Sequence, residues 1–141
     1  MKMMFTRILV DFDLAHLSRP SLVALLDLAQ ANHAALTFLA VRPKLDELLS
    51  ESEESFLADV HKQIGTEWAT LLSAAREREL QPRLHILAGD SIESLLAFGR
   101  EMDADLIVAG NSHCGGLKNA ILGVPCKELL GRADVAILIL P

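Results

Sequence analysis

The chain has 141 residues, 51% of them hydrophobic, and its 19 acidic and 13 basic side chains give a formal net charge of −6. The length suits one domain, so we expect residues 1–141 to fold as a single unit. An acidic chain is a poor general binder of phosphate backbones, so nucleic acid is not an expected partner. No apolar run approaches the roughly 20 residues of a membrane span, and the two distant cysteines favour a reducing cytoplasm.

Strand-like and helical patterns alternate along the chain. Strands are predicted over 5–12, 35–41, 83–87, 105–109 and 133–140. The first helix is predicted to begin at Ser18 and Pro20, the second to run over 52–79, and the third to begin after Asp90. Helical turns are predicted over 117–130, with an interruption at 123–125. Glu93 follows Asp90 by three residues, as in a capping box. The alternation predicts an α/β domain with a single open five-stranded parallel sheet and helices on both faces.

Carboxylates lie where the first predicted strand ends. In sheets of this kind, ligands bind beyond the carboxyl ends of the strands, near the point where the strand order reverses. Asp13 is placed there either to accept hydrogen bonds from ribose hydroxyls or an adenine amino group, or to cap nearby backbone N–H groups. Asp11 raises the question of a carboxylate pair or a metal ligand, but nothing nearby has ligand spacing.

A glycine-rich loop, GNSHCGG, runs from Gly110 to Gly116 after the fourth predicted strand. Such glycines let backbone approach a phosphate closely, although the spacing matches neither a P-loop nor a dinucleotide fingerprint. His113 and Cys114, with Cys126 beyond, match no common zinc pattern, so no metal site is predicted. A nucleophilic Cys114 needs a base and an orienting partner that the sequence does not identify, so no catalytic residue is predicted.

The order of these segments resembles the universal stress protein family, whose UspA-like domain it matches over essentially the whole chain. The resemblance is carried by RILV (7–10) followed by Asp13, LTFLAV (36–41), LAGD (87–90), ADLIVAG (104–110), GLK (116–118) and VAILIL (135–140). It implies an open parallel α/β fold of the adenine nucleotide α-hydrolase-like, Rossmann-like kind, and a homodimer formed through the last strand, 133–140. That strand would otherwise expose an unpaired hydrophobic edge.

Many members of this family bind ATP through a glycine, two residues, a glycine, nine residues, a glycine and then Ser or Thr. The matching positions are Asp13 for the adenosine-contacting aspartate, Val41 for the adenine-side valine, and Gly110 and Gly123 for the first and third glycines. The resemblance therefore implies a site for ATP or another adenine nucleotide around these residues.

Three residues are expected to weaken the phosphate binding that the family pattern implies. His113 stands at the second glycine, Val124 replaces the hydroxyl, and Pro125 removes a free N–H donor at the following helix start. Each lost hydrogen bond to a charged oxygen is worth about 1.5–3 kcal/mol, so losing two or three weakens binding about a thousandfold or more. Gly115 and Gly116 offer a different cradle, and His113 is itself a candidate phosphate contact.

Three functional hypotheses stay open at this point. The first is a cytoplasmic, non-enzymatic homodimer that regulates or protects in the stress response, acts on a protein partner and binds ATP weakly or not at all. The second is a family member that binds ATP or another adenine nucleotide through Asp13, Val41 and the loop over 110–123. The third is an enzyme that acts on a bound adenylate through His113 or Cys114, which nothing in the sequence requires.

Overall fold

The computed structural model describes residues 4–12, 18–42, 53–110 and 125–140, in which strands and helices alternate as predicted. The strands are β1 (Arg7–Asp11), β2 (Ala35–Arg42), β3 (Arg83–Ala88), β4 (Leu106–Gly110) and β5 (Ala136–Leu140). The helices are α1 (Arg19–Ala31), α2 (Glu53–Arg76), α3 (Ser91–Glu101) and α4 (Pro125–Arg132).

Two predicted boundaries were wrong by three residues, and local backbone hydrogen bonds at the helix ends explain both. β5 begins at Ala136 rather than at 133, because the N–H of Ala133 still donates to the Leu129 carbonyl of α4 at 3.0 Å. α2 ends at Arg76 rather than at 79, because the following residues form a turn that closes on the helix. The helical turns predicted before Pro125 lie outside the described residues.

The five strands form one all-parallel sheet in the order β3-β2-β1-β4-β5. The chain moves outward from β1 to β3 and then returns to place β4 on the other side of β1. The order therefore reverses between β1 and β4, where Ile8 lies opposite Leu106. The predicted open, five-stranded parallel sheet is confirmed.

The two faces of the sheet pack into two separate cores because successive side chains on a strand point to opposite sides. The first core joins the sheet to α1 and α2 and includes Ile8, Val10, Leu25, Phe38 and Leu71. The second joins it to α3 and α4 and includes Leu9, Leu39, Leu95, Ile107 and Leu129. Helices thus cover both faces, as predicted.

Local capping explains where α1 and α3 begin. The Ser18 hydroxyl accepts a hydrogen bond from the Ser21 N–H at 3.3 Å, and an Asp90 carboxylate oxygen accepts one from the Glu93 N–H at 2.9 Å. The second half of the predicted capping box is wrong. The Glu93 carboxylate accepts a hydrogen bond from Arg132 of α4 at 2.7 Å instead of reaching back to Asp90.

A single carboxylate anchors the amino end of β1. Asp105, directly before β4, accepts hydrogen bonds from the Thr6 N–H at 2.8 Å, the Thr6 hydroxyl at 3.0 Å and the Arg7 N–H at 3.0 Å. The contact joins segments about 100 positions apart and aligns β1 with β4, so that their carboxyl ends meet at the opposite edge of the sheet.

Candidate functional site

The carboxyl ends of β2, β1 and β4 are neighbours at the point where the strand order reverses. β1 ends at Asp11, opposite Leu39 of β2, and the Phe12 N–H donates to the Leu39 carbonyl at 2.8 Å. This bond extends the pairing of β1 with β2 by one residue. Val41 lies two residues beyond Leu39, while Gly110 ends β4 on the other side of β1. The fold therefore brings two of the predicted site residues to neighbouring strand ends, where a sheet of this order has its ligand crevice.

Val41 and Gly110 differ in burial and in the strands that hold them. Gly110 is buried and pairs with Leu140 of β5, so its backbone is held on the β5 side. Val41 is half-buried, lies opposite Leu87 of β3 and packs against the second core. The strand ends on the two sides of β1 thus present a small residue, Gly110, and a branched apolar residue, Val41.

The remaining predicted site residues lie outside the described residues and stay predictions. They are Asp13, His113, Gly115, Gly116 and Gly123. Cys114, which the enzymatic hypothesis invokes, also lies outside.

Asp11 is a described carboxylate at this edge, at the last position of β1. Its side chain is half-buried, and strand alternation places it on the same side of β1 as Leu9, which belongs to the second core. Among the side chains that the structure describes, no three His, Cys, Asp or Glu groups come together to hold a metal ion.

The turn from β3 into α3 borders the same edge of the sheet. Gly89 has φ of +146°, a conformation that side chains rarely adopt, and a Cβ there would lie 3.2 Å from the Ser94 hydroxyl. Asp90 already accepts the Glu93 N–H at the start of α3. The protein's own carboxylate thus occupies this helix terminus, where an anion would otherwise be favoured.

One arginine on the surface of α4, Arg132, forms ion pairs with carboxylates of the protein itself. Arg132 donates to Glu93 at 2.7 Å and to Glu128 at 3.1 Å. The hydrogen bond to Glu93, followed by the one to Glu128, raises the pKa of the Arg132 guanidinium above its usual range. Arg132 thus binds two carboxylates of the protein itself, so it is not available to bind an anionic ligand.

Three aromatic rings lie beneath the end of β1, and sequence reasoning missed their association. The ring centroid of Phe12 lies 5.6 Å from that of Phe38 in β2 and 6.1 Å from that of Trp68 in α2. The centroids of Phe38 and Trp68 lie 5.5 Å apart. All three pairs are edge-to-face. The one sequence signal is helical spacing: Trp68 stands in line with Leu71 and Ala75, which predicts packing on the sheet but not which ring Trp68 contacts.

Two cavities lined by described residues lie away from this crevice. One of about 280 Å³ lies between the end of α3 and the start of β5, beside Gly99, Arg100 and Asp134. Another of about 540 Å³ lies along the last turns of α2, beside Trp68 and Arg76. Neither includes the residues that the sequence analysis selected.

Within the described helices, none combines the length and the apolar character that crossing a bilayer requires. A search against family models matches residues 4–141 to the universal stress protein family. The stress response protein NhaX of Bacillus subtilis is 26% identical, and the match covers 94% of this chain and 96% of that protein.

Two solved structures share the fold. A universal stress protein in complex with cAMP is 20% identical with a TM-score of 0.73, and the match covers 98% of each chain. The universal stress protein from Archaeoglobus fulgidus in complex with dAMP is 15% identical with a TM-score of 0.62, and the match covers 99% of this chain and 100% of that one.

Proposed function

We propose that this chain, which belongs to the universal stress protein family, is a stress-response module that binds the adenosine part of an adenine nucleotide and holds ATP phosphates weakly. One observation carries the proposal: Val41, the end of β1 and Gly110 lie on three neighbouring strand ends at the reversal of strand order. That crevice is where open α/β sheets bind ligands.

The chemistry of the crevice favours a nucleotide with few phosphates. Asp90 already caps the nearby start of α3. The sequence also places His113 and Val124 where the family's ATP motif has a glycine and a hydroxyl. The two related structures hold cAMP and dAMP, each of which has one phosphate group. Their ligands support the class of compound proposed for this chain.

Calorimetric titration of adenosine, AMP, cAMP, ADP and ATP into the purified protein tests the proposal. We expect AMP or cAMP to bind, ATP to bind no more tightly than AMP, and Asp13→Ala to remove binding. Asp134→Ala is the matched control, because this exposed carboxylate precedes β5 and lies at the amino ends of the strands, away from the predicted site. Failure of every adenine compound to bind, or equal losses in the two variants, contradicts the proposal.

Repairing the phosphate motif gives an independent test. The double substitution His113→Gly and Val124→Ser restores the second glycine and the hydroxyl of the family pattern. One regained hydrogen bond to a charged oxygen is expected to raise ATP affinity about tenfold or more. Adenosine affinity is expected to stay unchanged. An unchanged ATP affinity would show that these two departures do not limit binding.

We also propose that the protein forms a homodimer through β5. Both edges of the described sheet are open, yet they differ in character. β5 has the aliphatic sequence AILIL and is mostly half-buried, whereas β3 has the sequence RLHILA and carries the charged Arg83 and the polar His85. Charged groups on an edge strand oppose pairing with another strand, so β5 is the better surface for a second copy of the chain.

Light scattering tests this assembly with paired substitutions at the two edges. The wild type is expected at twice the chain mass of 15.4 kDa. Ile139→Lys in β5 is expected to give a monomer, while Leu87→Lys in β3, where the side chain is 37% exposed, is expected to leave the dimer intact. A wild-type monomer at micromolar concentration, or dissociation by Leu87→Lys alone, refutes the β5 interface.

The module is further proposed to act in the cytoplasm, without catalysis and through a protein partner that senses its nucleotide state. NhaX, a stress response protein, supports the stress-response setting. Incubation with ATP is expected to give no turnover above the buffer control. Turnover that Cys114→Ala abolishes would favour the enzymatic hypothesis instead.

A further inference from the structure

We infer that Trp68 is a positioning residue for the adenine-nucleotide site, an inference that rests on the function proposed above. Trp68 is the single tryptophan of the chain and lies on α2, outside the sheet. Its indole packs edge-to-face against two rings. The ring centroids of Trp68 and Phe12 lie 6.1 Å apart with an interplanar angle of 81°, and those of Trp68 and Phe38 lie 5.5 Å apart with an angle of 70°. It therefore contacts the last described residue at the end of β1.

Phe12 is held from three directions. Its side chain is 6% exposed, and its backbone N–H donates to Leu39 of β2 at 2.8 Å. Its ring contacts Phe38 at 5.6 Å and 80°, in addition to Trp68. Edge-to-face pairs depend on ring orientation and contribute beyond the area they bury, so the two neighbours restrict the Phe12 ring as well as covering it.

This restriction matters because of what adjoins Phe12 along the chain. Asp13, the predicted adenosine carboxylate, is the next residue. Ligand-binding groups work best when neighbouring packing locks the chain that carries them, because less conformational freedom is then lost on binding. Trp68 thus acts on the nucleotide through Phe12, and α2 becomes part of the support for the site.

Titration of AMP into Trp68→Leu, Trp68→Phe and Leu71→Ala tests the inference. Leu71 lies on the same helix and in the same core but is aliphatic, which makes Leu71→Ala the control for general loss of packing. We expect Trp68→Leu to raise the Kd for AMP about tenfold, Trp68→Phe to raise it less than about threefold, and Leu71→Ala to leave it within about twofold. Trp68→Phe keeps an aromatic ring and secures the test if Trp68→Leu folds poorly.

A double-substitution cycle separates action through Phe12 from a direct effect. If Trp68 works through that ring, Trp68→Leu is expected to add no further loss of AMP affinity in a Phe12→Leu background. Additive losses would overturn the route through Phe12.

Native-state hydrogen exchange supplies a readout that needs no ligand. In Trp68→Leu, the Phe12 amide is expected to lose about tenfold more protection than the Leu9 amide, whereas Leu71→Ala is expected to lower both equally. Equal loss at both amides in Trp68→Leu overturns the inference, as does an equal rise of Kd in Trp68→Leu and Leu71→Ala. Failure of the wild type to bind any adenine nucleotide overturns the proposed function instead.

Discussion

Three helices end in a conformation that glycine adopts more easily than the residue present. His33 after α1, Glu79 after α2 and Asp103 after α3 have φ of 50°, 60° and 56°. In each case the next residue closes the turn, as in the 2.9 Å bond from the N–H of Ala34 to the carbonyl of Ala29. This is the Schellman arrangement, in which the left-handed position usually holds glycine.

Replacing these residues with glycine is expected to stabilise the protein. The left-handed conformation costs an L-residue about 1–2 kcal/mol, which glycine avoids. Glycine also makes the unfolded chain more flexible, and this entropy lowers the gain in stability by about 0.5–1 kcal/mol. Each substitution is therefore expected to gain about 0.5–1 kcal/mol. His33 and Glu79 are exposed, and the ion pair of Asp103 with Arg7, at 3.6 Å, is exposed on both sides and contributes little.

Urea unfolding of His33→Gly, Glu79→Gly, Asp103→Gly and the triple variant measures the effect. The three sites lie in different connections, so their gains are expected to add to about 2 kcal/mol. Ala97→Gly, at an exposed position inside α3, is the control of opposite sign and is expected to lose about 1 kcal/mol. Destabilisation by His33→Gly as large as that by Ala97→Gly would refute the reasoning.

Three further predictions concern side chains that join distant segments. Asp105→Ala removes the acceptor of three hydrogen bonds from Thr6 and Arg7 and is expected to cost about 1–3 kcal/mol in urea unfolding, with Asp105→Asn losing less. Asp90→Ala removes the cap of α3 and is expected to lower the free energy of unfolding by about 1 kcal/mol, a loss that Asp90→Ser should largely avoid. Arg132→Ala is expected to lower the urea midpoint only slightly, because its ion pairs are partly exposed to solvent; a large drop would show that the pairs hold α4 in place.

Much of the fold was predictable because its signals are local. Alternating β-branched runs and helical stripes indicated five strands and their crossovers, and Ser18 and Asp90 marked helix starts that the structure confirms. The boundary errors arose where local pattern and hydrogen bonding disagree. Ala133 continues a strand-like run in the sequence, yet its N–H completes α4.

The site was less predictable, because its parts come from strands far apart in sequence. A resemblance and a spacing selected Val41 and Gly110, and the sheet order places both at the crevice. The aromatic cluster was missed because an apolar stripe on α2 does not indicate which ring of which strand it meets. The close packing at Gly99 was not predictable for the same reason. A Cβ at Gly99 would lie 3.3 Å from the Ile107 side chain, and that distance depends on how the helix packs on the strand.

Length, composition and charge determined from the start that this is an acidic, apolar chain of one-domain size, and periodicity then indicated a parallel sheet covered on both faces. The tertiary structure alone decided the strand order, the partner of Glu93 and the packing of Trp68 against Phe12. The physical reason is the range of the interactions. Capping and alternation act over a few residues and are written in neighbouring letters, whereas core packing and ion pairs join positions that only the folded chain brings within a few ångströms.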